Sequence, residues 1–280
     1  MSIGMPVYNA ERYVRTALDS VLGQTFGDFE LVISDNASTD KTEAICREYA
    51  DSDSRIRYVR QKENRGAAYN FKIVMEEATG EYFMWAAADD TRDPDFLRLA
   101  VTVLDSDPSC GLVFSEYRIR NLETGSCTHE HVAMYNSGSP WKRYFMRLLS
   151  PCPSLIYGLQ RLAELKRIPP CDYDFFDVHF THWYALNSVV KVIPLPLYVA
   201  GVKGQFLPSG QRVNVPGTAQ APSHAPRKAR FDPTRFFADE RTMLFKQCPP
   251  VAALGLYCLL RYFYFKNIRQ LNSIIDQART

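Results

Sequence analysis

The sequence has no Cys-x-x-Cys pair, no Gly-x-Gly-x-x-Gly after its first apolar segment and no Gly-x-x-x-x-Gly-Lys-Ser/Thr anywhere. Seven cysteines stand scattered at 46, 110, 127, 152, 171, 248 and 258. An odd number without paired spacing argues against a disulfide framework or a zinc site and for reduced thiols in the cytosol. The two missing glycine motifs take support from a dinucleotide oxidoreductase and from a P-loop enzyme, because both need a glycine turn to bring backbone N–H groups onto phosphate. Charge of one sign is lacking too. Lys+Arg number 33 against 31 Asp+Glu, a net charge of +2, with no long basic tract, so nucleic acid is not an expected partner. No uncharged apolar run reaches the roughly 18 to 20 residues that a membrane span needs. The chain opens in a strand-like segment, which reads as no secretory signal.

What is present is a large apolar share, 46% of 280 residues, enough for one large domain with an appendage. Ser2 to Val7 reads as a first strand. Val14, Ala17, Leu18, Val21 and Leu22 recur at helical spacing within Glu11 to Gln24. Phe29 to Ser34 is a second strand, and Asp40 with Glu43 has capping-box spacing for a helix to about Ala50. Ile56 to Arg60 is a third strand, followed by a helix over Ala67 to Ala78. Tyr82-Phe83-Met84-Trp85-Ala86-Ala87-Ala88 is an apolar, strand-like run that ends in Asp89-Asp90. Strands alternating with helices predict an α/β fold, a Rossmann-like, mixed, mostly parallel sheet flanked by helices.

Past this half, Asp95 to Leu104 predicts a helix, Gly111 to Phe114 a strand and Glu123 to Ser126 a turn. Trp141 to Leu149 reads as a helix, Ser154 to Leu159 as a short strand and Leu162 to Arg167 as a helix. An acidic, aromatic cluster, Asp172 to Asp177, opens a helix through Leu186. Val189 to Val199 is apolar but carries Pro194 and Pro196, which predict an edge strand or extended connection. Residues 201 to 226 read as a long loop. Two helical segments split by Pro249-Pro250 close the chain, with ten Lys/Arg against four Asp/Glu from Arg227 onward. The second segment, aromatic and flanked by Arg261, Lys266 and Arg269, is either a packed C-terminal helix or one lying on an anionic bilayer through residues 250–280.

Two adjacent carboxylates at a strand end repel each other unless a cation or hydrogen-bond donors intervene, so a divalent ion with oxygen ligands, Mg2+ or Mn2+, is the expected group at Asp89 and Asp90. The alternative is that both merely open a loop and the next helix. Three further segments bear on the choice. Ile3-Gly4-Met5-Pro6-Val7-Tyr8-Asn9-Ala10-Glu11, Ser34-Asp35-Asn36-Ala37-Ser38-Thr39-Asp40 and Asn64-Arg65-Gly66 each fall where a predicted strand ends or a helix begins.

Together with Trp85-Ala86-Ala87-Ala88-Asp89-Asp90, these segments resemble family 2 glycosyltransferases of the GT-A fold, in particular bacterial members reading Trp-Ala-Ala-x-Asp-Asp. The resemblance covers about residues 2 to 120 and is weak beyond. It implies an inverting transfer of a sugar from a nucleoside diphosphate donor, a UDP-sugar first, to a glycan or lipid-linked acceptor in surface polysaccharide synthesis. The expected location is cytoplasmic, and peripheral on the inner face of the plasma membrane in the case where the last helix lies on the bilayer. The donor contacts it implies are Pro6, Tyr8, Asn9, Glu11, Asp35, Arg65 and Asp89, with metal at Asp89 and Asp90. Asp35 has capping of its own loop as the competing role. The commoner family motif is Asp-x-Asp, and here its first position is Ala87. A catalytic base is expected at Asp177, with Asp172 and Asp174 as rivals. Relatives often carry His where this chain has Val202. The domain expectation is a donor half over 1–120, an acceptor-side half with the long loop over 121–226, and a helical C-terminal extension over 227–280. Rival functions are a catalytically inactive nucleotide-sugar-binding relative and a sugar-phosphate nucleotidyltransferase.

Overall fold

A computed structural model describes residues 1–132, 139–150, 152–169, 176–202 and 233–262. The donor-side half is β1 (Ser2–Val7), α1 (Val14–Leu22), β2 (Glu30–Asp35), α2 (Thr42–Ser52), β3 (Ile56–Arg60), α3 (Ala67–Glu76) and β4 (Tyr82–Trp85). β5 (Thr91–Arg92), α4 (Phe96–Ser106), β6 (Cys110–Asn121), β7 (Cys127–Glu130), α5 (Pro140–Leu149), β8 (Leu159–Arg161) and α6 (Leu162–Leu165) follow. The chain continues through α7 (Phe176–Asn187), β9 (Val189–Val202), α8 (Pro233–Gln247) and a helix over residues 250–262.

The strands form one mixed sheet in the order β3-β2-β1-β4-β8-β6-β9-β5, with β7 paired to β6. β1 to β4 run parallel, so the ends of all four, Val7, Asp35, Arg60 and Trp85, point to one edge. Both faces of these strands are covered, and alternate residues feed two cores. Ile3, Met5, Leu31, Ile33 and Met84 pack with α1, α2 and α4, whereas Val32, Phe83 and Trp85 pack with α3, α5, α7 and the C-terminal helices. Gly4 lets α3 approach β1, since a Cβ there would lie 2.7 Å from Val74.

The structure differs from expectation in several places. Asp40 accepts the Thr42 and Glu11 backbone N–H groups, but Glu43 pairs with Arg47 and Arg60 instead of closing a capping box. Pro153–Tyr157 forms a 3-10 turn, and only β8 behind it is strand. β6 is far longer than Gly111 to Phe114 and turns back through Gly125 (φ 75°) into β7. β9 is no simple edge. It pairs with β6 along its length, and the register shifts at Ser115/Glu116/Tyr117 absorb Pro194 and Pro196, because a proline is tolerated where the ladder is already broken.

The loop expected over 201 to 226 lies outside the described residues except for Gly201 and Val202, which end β9. The helix split at Pro249-Pro250 is present. Leu256 and Leu260 of the second helix are buried in the same core as Trp85 and α7. No helix among the described residues is long and apolar enough to cross a membrane. The six described cysteines are free thiols.

Candidate functional site

Loops at the common edge of β1, β2 and β4 meet there because the strands are parallel. Asn9 takes φ 48° and Ala37 φ 59°, left-handed conformations that Asn tolerates and Ala resists; Asn9 is held by bonds to the second loop, and the Ala37 N–H donates to the Asp35 carbonyl within its own. The Asn9 N–H donates to Ser38 Oγ (3.0 Å), and Asn9 Oδ1 accepts from the Thr39 N–H (2.8 Å). Ala10 N–H donates to Thr42 Oγ1 (2.7 Å), and Glu11 Oε2 accepts from Lys41 N–H (2.9 Å). Asn9 and Glu11 are exposed at the same time, with Pro6 and Tyr8 half-buried beside them.

Asp35 is fully buried. It accepts from the Ser38 N–H and from the Tyr58 hydroxyl, both at 2.8 Å, and so braces its own loop. Asn36 ties this loop to the next, accepting from Arg65 N–H (3.0 Å) and donating to Asn64 and Gly66. The Arg65 guanidinium lies 3.8 Å from the Tyr69 ring centroid.

The fold separates the two adjacent carboxylates. Asp90 is only 5% exposed; Tyr198 Oη donates to its Oδ2, and Gly201 N–H donates to its Oδ1 at 2.8 Å. Asp89 is half-buried and lines a cleft of about 180 Å³ with Tyr13, Thr16, Asp90, Arg120 and Gly201. A Cβ on Gly201 would overlap the Asp89 carbonyl oxygen, so only glycine brings β9 this close. Burial, and then the neighbouring Asp89 charge, push the Asp90 carboxyl up to about 6, against bonds from Tyr198 and Gly201 and the charge of Arg92.

Arg92 is itself buried. Its Nη2 donates to the Trp85 carbonyl (2.8 Å) and the Tyr157 carbonyl (3.3 Å), while Nε and Nη1 have no hydrogen-bond partner among the described residues. Burial lowers its affinity for the proton, and nearby Tyr198 and Asp90 oppose that. Asp89, the carboxylate that lines the cleft, offers oxygen, the donor that a hard divalent ion such as Mg2+ or Mn2+ takes, while both Asp90 oxygens are bonded within the protein behind it.

Asp177 stands in the first turn of α7, half-buried, and burial raises its carboxyl above the usual range. α7 docks on the strand that leads to the Asp pair, with Phe180 edge-on to Trp85 at 5.5 Å. Tyr157 stacks on Tyr198 with ring centroids 5.8 Å apart, its carbonyl accepts from Arg92, and its phenol is pushed up by burial and then by the charges of Asp90, Asp89 and Asp177. Asp172 and Asp174 lie outside the described residues.

Several residues here escaped sequence reading. Arg92, Tyr157 and Tyr198 carry no motif, although a lone glycine closing an apolar strand, as at Gly201, does signal close approach of backbone. His179 and His182 have no ligand-like spacing with a carboxylate in the sequence, although Asp177 stands two residues before His179. In the fold, Glu240 of α8 stands 3.0 Å from His179 Nδ1 and 2.9 Å from His182 Nδ1, and it accepts from Tyr144 Oη at 2.6 Å.

The profile of glycosyl transferase family 2 matches residues 2–158. An uncharacterized glycosyltransferase of Rickettsia typhi is 34% identical over 127 residues, 45% of this chain and 39% of that protein. The chain thus spans less than half the length of that relative. Staphylococcus aureus TarS 1-349 in complex with UDP-GlcNAc superposes with TM-score 0.66 at 18% identity, over 95% of this chain and 72% of that one. The mannosyltransferase PcManGT from Pyrobaculum calidifontis, in complex with GDP-Man and Mn2+, gives 0.59 at 19% identity, over 97% of this chain and 71% of that one. At those identities the superpositions show the shared fold.

Proposed function

The chain belongs to glycosyl transferase family 2, and from that premise we propose that it is an inverting glycosyltransferase of the Trp-Ala-Ala-x-Asp-Asp subgroup. The donor is a nucleoside diphosphate-sugar, a UDP-sugar first, and the acceptor a glycan or lipid-linked sugar of a bacterial surface polysaccharide. The TarS and PcManGT structures, each solved with a nucleotide-sugar, support the donor class. The observation that carries the reading is the family match over residues 2–158 together with the Asp pair at the end of β4, where Asp89 lines the cleft.

The base and ribose fall to the stitched loops, with Pro6 and Tyr8 offering ring contact, Asn9 and Glu11 polar groups, and Asp35 fixing the loop from beneath. Arg65, stacked on Tyr69, meets phosphate charge. Asp89, the more exposed of the pair, would hold Mg2+ or Mn2+, with Asp90 behind it. Such an ion, when bound, neutralises charge on the diphosphate leaving group as a Lewis acid. Asp177 removes the acceptor hydroxyl's proton as that oxygen attacks the anomeric carbon in line. A carboxyl raised by burial serves this role well, since a stronger base takes the proton further.

Donor-half residues 1–120, acceptor-side residues 121–226 and the helical segment 227–280 would then divide the work. The exposed apolar side of the last helix, Val251, Leu254 and Tyr262, faces the inner surface of the membrane in this reading. The decisive experiment is Asp177→Asn assayed with a panel of sugar nucleotides. Transfer should fall by about 10³-fold or more, with donor affinity kept within a few-fold. Retained turnover moves the base to another carboxylate, and a wild-type chain that binds donor yet transfers nothing points to a binding relative.

A further inference from the structure

The β6–β7 hairpin carries a cluster of ligating side chains of a different kind. Side chains alternate along a strand, so His129 and His131 leave the β7 segment on one face. Tyr117 pairs with Glu130 and Arg118 with His129, which sets His131 opposite Glu116. Two of the chain's five histidines and one carboxylate therefore share a face. Their atoms meet. The Glu116 carboxylate lies 3.0 Å from His129 Nε2 and 2.8 Å from His131 Nδ1, and the two ring centroids are 4.5 Å apart. One ligand atom from each residue falls within 4.8 Å of the other two.

We propose that Glu116, His129 and His131 form a site for one divalent transition-metal ion of the Zn2+ type, separate from the Asp89/Asp90 pair. Zn2+ holds imidazole nitrogen and carboxylate oxygen at about 2.0 to 2.2 Å with tetrahedral angles, which places neighbouring ligand atoms about 3.3 Å apart. The 3.0 Å contact runs from His129 Nε2 to Glu116 Oε2 and the 2.8 Å contact from His131 Nδ1 to Oε1, so the two imidazoles flank one carboxylate and an ion would take its place between them by modest side-chain opening. Imidazole in the donor set selects Zn2+, Ni2+ or Cu2+ over Mg2+, which takes oxygen. Two protein nitrogens and one carboxylate leave a fourth position for water, and His131, with a side chain 76% exposed, opens that position to solvent. Arg118, across from His129, opposes a cation by its charge, but its side chain is exposed and its guanidinium is free to turn into water.

The test uses the full chain, stripped with chelator and kept in excess Mg2+ so that oxygen sites are filled. Calorimetry should find one Zn2+ bound, at least about tenfold more weakly in His129→Ala and in His131→Ala. Co2+ should give tetrahedral visible bands that vanish in the double variant and persist in Asp89→Asn. His131→Cys, which supplies another zinc ligand, should restore binding. Circular dichroism of the metal-free variants checks their fold. In the wild-type chain, histidine nitrogen resonances of 129 and 131 should move on adding Zn2+. No Zn2+ bound by the wild type, unmoved resonances, or equal affinity in a folded double variant each overturns the site. None of these readouts needs sugar transfer, so this proposal and the glycosyltransferase reading fail separately.

Discussion

Asp90 is a carboxylate held out of water with both oxygens bonded, while Asp89 beside it reaches the cleft. This difference has a thermodynamic signature. The folded-state value of Asp90 is about 6, above its ordinary 3.8, so the fold favours the protonated form. Its contribution to stability is full below about pH 4 and is lost as pH rises through about 6, a change of about 3 kcal/mol at about 1.4 kcal/mol per unit. Asp90→Asn removes that loss and keeps an acceptor for Tyr198. In metal-free urea unfolding, the variant should gain on wild type between pH 4.5 and 7.5 by a margin of this order. Parallel pH profiles for the two proteins would refute the burial account of Asp90.

At the scale of elements, α7 and α8 are joined by charge as well as by apolar packing. Glu240 is fully buried between His179, His182 and Tyr144. Burial pushes its carboxyl up, but the charge of His182 and the bonds from both imidazoles outweigh this and hold it down at about 2. That low value makes Glu240 a stabilising group above its ordinary 4.5, and the contribution is lost as pH falls through about 2. Glu240→Gln should cost about 3 to 5 kcal/mol in urea unfolding at pH 7, because it leaves buried partners uncompensated. The deficit should shrink on acidification below pH 4.5.

These elements also mark what the sequence discloses. Strands β1 to β4 and helices α1 to α4 were legible because each buries one periodic face or a continuous apolar run, and the Asp pair was legible because it breaks such a run. Tyr198 and the Glu240 clip were not, since each acts on a partner more than fifty residues away and needs no local pattern to do so. The prolines of β9 misled because local propensity cannot see that a register shift in β6 will accommodate them.

For the whole molecule, the C-terminal helices are part of one of the two cores, so truncation at 250 would strip Ala253, Leu256 and Leu260 from it and confuse anchoring with unfolding. Surface substitutions separate the two. The combined variant Val251→Ser, Leu254→Ser and Tyr262→Ser should keep the wild-type melting temperature within about 2 °C, since exposed positions carry little stability. It should also lose flotation with anionic phosphatidylglycerol vesicles. Equal flotation of variant and wild type, or none by either, would defeat the bilayer contact. The stitching of the loops after β1 and β2 bears on a different property, the timing of encounter. Their bonds exist before any ligand arrives, so little chain entropy remains to be lost on docking. A molecule meeting that edge finds it already shaped, and its rate of association is governed by diffusion and orientation instead of by loop ordering.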